Sequence, residues 1–249
     1  MAPTGRRALW SARYVRSPLR GAAAHGSADV RMLQSARSSA SLHIRHHSPV
    51  AIDGTAAYDE CSDLPPLVAT TVSVARRVGF TKSCLPQHGR LLQVLASGVG
   101  PGKIGETGTG RGTGLAWMAS AAHSNAQIFS IERDPRRAHE AQLLFAHDSR
   151  VCIICGDWRE LVREAPFDLL ALDGGGQGKG SESPLESADW MQPGGLIVMD
   201  DFTPMTRWPP SHGGQPDHAR MHWLEHPQMR ATEVRVAPTA ASLLGFYTG

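Results

Sequence analysis

Five stretches of this chain each close on a carboxylate that a strand could deliver to one edge of a sheet. The first reads Glu106-Thr107-Gly108-Thr109-Gly110-Arg111-Gly112-Thr113-Gly114 and runs into Leu115-Ala116-Trp117. The others close on Glu132-Arg133, on Gly156-Asp157-Trp158, on Asp173 and on Asp200-Asp201. In an open α/β sheet, ligands bind beyond the carboxyl ends of the strands, so recognition and chemistry concentrate there. One or two acids at such ends are an ordinary solvated rim. Five in succession describe an acidic crevice, which attracts a cation and accepts hydrogen bonds from hydroxyl and amino groups. The glycines let the backbone pass close to a ligand with no Cβ in the way.

The elements that must position these residues follow from the apolar periodicity. Strands are expected at Lys103–Glu106, Gln127–Glu132, Val151–Gly156, Phe167–Leu172, Leu196–Asp200, Thr232–Val236 and Ser242–Tyr247. Helices are expected over about 112–122, 135–147, 158–164, 183–191 and 217–226. Two more precede them. Pro65-Pro66 open a run in which Leu67, Val68, Thr71, Val74 and Val78 recur at helical spacing. Gln87–Ala96 follows, with Leu91, Leu92 and Leu95 as its apolar face. Alternating strands and helices imply an α/β fold with a mostly parallel sheet covered on both faces. No helix separates the last two strands, so the final one is expected to enter antiparallel.

S-adenosylmethionine carries a sulfonium, an ammonium, a ribose diol and an adenine amino group, and an acidic crevice suits each. Glu132 lies about 20 residues beyond the Gly-rich turn, where an acid is placed to accept both ribose hydroxyls. Asp157 can accept from the adenine amino group, and Trp158 offers the ring an apolar wall. A dinucleotide-binding enzyme is the competing reading of a Gly-rich turn. Gly100-Pro101-Gly102-Lys103-Ile104-Gly105 even has GxGxxG spacing, but it precedes the strand instead of following it. The turn that does follow has Thr113 where that pattern wants its third glycine.

The ordered runs GETGTGRGTGLAWMAS, IFSIERDP, GDWREL, FDLLALDGG and MQPGGLIVMDDFTP resemble the motif series of class I S-adenosylmethionine-dependent O-methyltransferases, over about residues 62–249. They are most similar to bacterial O-methyltransferases of the catechol / caffeoyl-CoA group. The resemblance implies a Rossmann-like sheet of seven strands in the order 3-2-1-4-5-7-6. It implies cofactor contacts from Glu106, Gly108, Thr109, Gly110, Glu132, Arg133, Gly156, Asp157, Trp158 and Asp173. In that group an Asp after strand four and an Asp-Asn pair after strand five hold a divalent ion. The matching residues here are Asp173 and Asp200-Asp201, with Asp in place of the Asn, so a Mg²⁺ site is one expectation. Without a metal, a general base is needed. Besides Asp173, His212 and His218 are the candidates, in a segment that also carries His222 and His226. The stretch Asp201–Asp217 is long for a structureless connection and reads as a lid or an inert loop, with Trp208 able to wall an aromatic acceptor.

Composition narrows the remaining choices. The 249 residues are 41% hydrophobic and 19% charged, ordinary for a globular domain. The formal charge of +2 conceals an asymmetry: residues 1–50 hold eight arginines against the single acid Asp29, and the rest is mildly acidic. An acidic domain argues against a nucleic-acid surface, and no run is long and apolar enough to span a bilayer. Residues 1–55 read as a disordered basic leader: a transit peptide, a docking arm, or an over-extended start upstream of Met32. The domain proper is residues 56–249. Four cysteines suit a reducing compartment; Cys152 and Cys155 are expected to pack in the core. Expected partners are a small hydroxylated acceptor and, in a homodimer, a second copy of the chain. The expected location is cytoplasmic, or an organelle if the leader is a transit peptide. Two other readings stay open: a methyltransferase acting on RNA or protein, and a non-catalytic S-adenosylmethionine-binding module.

Overall fold

The structure, a computed structural model, describes residues 53–249, so the expectations for the basic leader over residues 1–52 lie outside the described residues. Seven strands form one sheet: β1 Lys103–Thr107, β2 Gln127–Glu132, β3 Val151–Cys155, β4 Phe167–Leu172, β5 Met191–Phe202, β6 Met229–Ala237 and β7 Ala240–Tyr247. Their order is β3-β2-β1-β4-β5-β7-β6. β1 to β5 pair in parallel, while β7 runs antiparallel to both β5 and β6. This is the Rossmann-like order expected from the sequence, in which the direction of strand addition reverses between β1 and β4. The carboxyl ends of strands at such a switch point are where open α/β sheets bind their ligands.

Helices α1 (Pro66–Arg77), α2 (Pro86–Gly98), α3 (Thr113–Ala119) and α4 (Pro135–Leu144) cover one face. Proline stands in the first turn of α1, α2 and α4, where its missing N–H costs nothing. Val68, Val72, Leu92, Leu115 and Trp117 from these helices close over Ile104, Ile128 and Leu169 of the sheet. On the other face, a 3-10 helix at Trp158–Glu164, α5 (Ser187–Trp190) and α6 (His218–Glu225) pack over Phe167, Leu170, Ile197 and Leu243. Asp134 and Asp217 cap α4 and α6 by accepting main-chain N–H bonds. Among the described residues no helix is long and apolar enough to cross a membrane.

Three expectations differ from what is observed. The helix expected over 183–191 shrinks to α5, because Pro184 bridges Gln177 and the Leu185 N–H donates to Gly176 O. That folds the segment back onto the Gly-rich turn instead of coiling it. The 201–217 connection is not structureless: Ser211–His212 pairs with Gln215–Pro216 around Gly213 and Gly214, both at positive φ, as a two-residue hairpin turn requires. Cys152 and Cys155 are free but exposed instead of buried, since β3 is the edge of the sheet.

Candidate active site

The turn after β1 is fastened to its neighbours on both sides. Gly108 has φ +90°, and a Cβ on it would lie 2.5 Å from the main-chain N and Cα of Gly174. The carbonyl of Thr107 accepts the N–H groups of Asp173 and Gly174, so the β1 and β4 ends are locked together. Toward β2, the Gly108 and Thr109 N–H groups donate to Ile131 O at 2.9 and 3.1 Å. Thr109 Oγ1 lies 2.6 Å from Ser130 Oγ, and Ser130 in turn donates to Glu106 at 2.5 Å.

Glu106 is 2% exposed, and burial pushes its carboxyl up to about 7, against the opposing Ser130 hydrogen bond. Among the described residues no basic side chain pairs with it. Glu132 is also buried, but it is engaged: Oε1 accepts from Asp134 N–H (2.8 Å) and Arg137 (2.7 Å), and Oε2 accepts from Gly110 N–H (2.9 Å). Three of about four lone-pair positions are therefore taken by the chain itself, and one is left over. Arg133, next along, is exposed. Asp157 works as an N-cap, with Oδ1 accepting Arg159 N–H at 3.1 Å; that bond, with the Arg159 guanidinium, holds its carboxyl below the usual range. Gly156 leaves space in which Glu160 closes the capping box. Trp158 is half-buried, donates to Glu182 at 2.7 Å, and lies against Gly175, where any Cβ would collide with its ring.

The acids after β4 and β5 form a second group. Enclosure by the crevice walls pushes the Asp173 carboxyl well above the usual carboxylate range, and the charges of Asp200, Asp201 and Glu106 push it further. Because the Asp173 side chain still reaches solvent, the like charges are the more durable cause. Asp200 is buried, with Oδ1 3.5 Å from His88 Nδ1; burial raises its carboxyl and His88 opposes that rise. His88 Nδ1 also lies 2.7 Å from Ser242 Oγ, and burial lowers its pKa against the opposing charges of Asp200 and Asp201. Asp201 is exposed at φ +63°, the one non-glycine residue with positive φ among those described. Lys179 donates to Asp200 O (2.7 Å) and Asp201 O (3.0 Å) and stands 4.0 Å over the Phe202 ring. The half-buried Cys84 thiol is pushed up by enclosure, then by Asp200 and Asp173. It lies 3.8 Å from the Tyr58 hydroxyl, which takes a 2.9 Å bond from Trp117 Nε1.

As placed, these residues do not fit a divalent ion. Among the described residues, no three His, Cys, Asp or Glu side chains converge as ligands, and Asp200 faces His88 while Lys179 holds the main chain of both aspartates. His212 and His218 do come together: with Lys179, Asp201, Phe202 and Arg220 they line a cavity of about 320 Å³ beside the acid group. His222 and His226 instead pack with Trp223 on α6 and its end. A larger cavity of about 460 Å³, lined by Phe145 and Arg150, opens at the amino end of β3, away from every residue above.

Residues 106–202, from the buried glutamate to the end of β5, match the family of methyltransferase domains. The likeness thus runs from the end of the first strand of the sheet through the fifth, with the turns that follow the first four of them. A catechol O-methyltransferase from Niastella koreensis is 32% identical over 150 residues, a match covering 54% of this chain and 65% of that protein. The chain thus spans just under two thirds of that relative's length. Among solved structures, the O-methyltransferase TomG of Streptomyces achromogenes, in complex with SAM, aligns with TM-score 0.60 and 18% identity over 79% of this chain and 96% of that one. An O-methyltransferase from Bacillus cereus in complex with SAH does so with TM-score 0.60 and 16% identity, over 78% and 96%. At such identities these two establish the fold.

Lys179, His88 and Cys84 were not among the site residues expected from the sequence. His88 left a signal, because it falls four residues before Leu92 and eight before Ala96, on the buried stripe of α2. Lys179 left none beyond its place in a glycine run.

Proposed function

We propose that the domain takes a methyl group from S-adenosylmethionine and places it on a hydroxyl of a small acceptor. Glu106 carries the reading: a buried carboxyl with a pKa near neutrality and no basic partner, at the end of β1 beside a backbone stripped of Cβ atoms. A cationic ligand arriving there draws the carboxyl to its ionised form and offsets the cost of its burial. S-adenosylmethionine supplies an electrophilic methyl on a sulfonium centre, open to in-line displacement.

The chain's own residues then divide the work. Glu106 and the Gly108–Gly110 turn hold the cationic end, and Oε2 of Glu132 takes one ribose hydroxyl. Oδ2 of Asp157 is left for the adenine amino group, with Trp158 as a wall, Gly156 as the close approach and Arg133 at the rim. Asp173 feels the charge of Glu106 and those of Asp201 and Lys179, and the latter two line the 320 Å³ cavity, which we assign to the acceptor. That volume sits at the small end of ligand pockets, which favours a single-ring acceptor over a polymer. His212 and His218 line it and are the candidates to receive the hydroxyl proton. The O-methyltransferase names of the relatives support a hydroxyl acceptor.

Labelled-methyl transfer to a panel of phenols and aliphatic alcohols tests this reading. The expected product is an O-methyl ether, with turnover falling about 100-fold or more in His212→Ala/His218→Ala. A protein that binds S-adenosylmethionine yet methylates no hydroxyl in the panel would overturn the acceptor assignment and leave a binding module.

A further inference from the structure

The acid group after β4 and β5 needs a cation. Asp173, Asp200 and Asp201 bear on one another's charge, and crowded carboxylates resist joint ionisation. A divalent ion is the usual remedy, but these side chains do not converge to receive one. Asp200 turns to His88 on α2, and the left-handed backbone at Asp201 breaks the line of β5. A cation is present all the same. Lys179 reaches back from the loop after β4, and its ammonium holds the main-chain oxygens of both Asp200 and Asp201. The same ammonium lies 4.0 Å from the centre of the Phe202 ring, and its charge acts on all three aspartates.

Resting on the methyl-transfer reading, we propose that the Lys179 ammonium occupies the electrostatic position of a divalent ion, so that this domain methylates its acceptor without one. An ammonium has three N–H donors. Two are taken by the carbonyls, which fix the nitrogen in place, and the third remains for an oxygen in the cavity that Lys179 lines. It meets the acceptor oxygen as negative charge develops on it.

Two consequences for the acceptor follow. A metal ion favours vicinal hydroxyls that chelate it, whereas a single N–H donor asks for only one oxygen. A single positive charge also acidifies a hydroxyl less than a divalent ion does. The acceptor class is therefore phenols that are already acidic, with a lone hydroxyl sufficient.

Titration of the 249-residue chain with Mn²⁺, followed by the electron spin resonance of the free ion, needs no variant. No saturable binding is expected, with or without S-adenosylmethionine. A stoichiometric Mn²⁺ site that disappears in Asp173→Asn would overturn the proposal. In Lys179→Met, S-adenosylmethionine affinity should stay within about twofold of the parent, while methyl transfer to a monohydroxy phenol falls about 100-fold, the scale of losing one oxyanion donor. Added Mg²⁺ should not restore it. Unchanged turnover in a folded Lys179→Met protein, or turnover of the parent protein that stops on chelation, would equally overturn the proposal. Absence of S-adenosylmethionine binding by the parent is a different failure, that of the methyl-transfer reading, and the Mn²⁺ titration reads separately from it.

Discussion

Gly108→Ala should reduce S-adenosylmethionine affinity by a factor of about 100 or more, the largest loss expected from adding one methyl group to this chain. Two costs coincide at this residue. Its φ of +90° disfavours any side chain, and the new Cβ would meet the main chain of Gly174 at 2.5 Å. Backbone atoms cannot rotate aside, so the β1 and β4 turns must separate. Strain of about 1–3 kcal/mol adds to overpacking of about 1–3 kcal/mol. Together they reach the 2.7 kcal/mol or so that corresponds to a 100-fold change. Gly100→Ala is the matched control: its φ is +68°, but nothing lies within 4 Å of the added Cβ. Calorimetric titration of both variants checks this, and equal affinities would show that contact between the two turns does not shape the crevice.

The largest stability effect is expected at Arg220, which is 2% exposed on α6. Its guanidinium binds Asp217 at 3.0 Å, Glu233 at 2.6 Å and Thr203 O at 2.8 Å, closing the floor of the acceptor cavity. Arg220→Met keeps most of the stem's packing but strands two largely buried carboxylates. Removing one partner of a buried ion group costs about 3–5 kcal/mol. For a domain of this size that lowers the melting temperature by roughly 10 °C. Neutralising the orphans as well, in Arg220→Met/Asp217→Asn/Glu233→Gln, should recover much of the loss. Thermal unfolding of the three proteins decides; a single variant melting within about 2 °C of the parent would show that the network contributes little.

The parts of the site legible in the sequence are those that follow from position along a strand. Glu106, Glu132, Asp157, Asp173 and Asp200 lie at strand ends because the apolar runs preceding them are buried, and their order along the sheet follows from the parallel topology. What each carboxylate does there depends on groups distant in sequence. Glu132 is claimed by Gly110 and Arg137, and Asp200 by His88, which α2 brings over the face of the sheet. Lys179 lies in a stretch with no period to orient it, so the direction of its ammonium emerges only from the folded β5 end. The Gly213-Gly214 pair did carry a local hairpin signal, and reading it as an open loop passed over the φ > 0 turn those residues favour.

The central claim is that the crevice at the ends of β1 and β2 recognises S-adenosylmethionine and not a dinucleotide. Calorimetric titration of the unmodified chain with S-adenosylmethionine and with NAD tests it most directly. S-adenosylmethionine should bind with a dissociation constant in the micromolar range, roughly −8 kcal/mol, and NAD should give no saturable heat. Saturable binding of NAD with none of S-adenosylmethionine would contradict the claim.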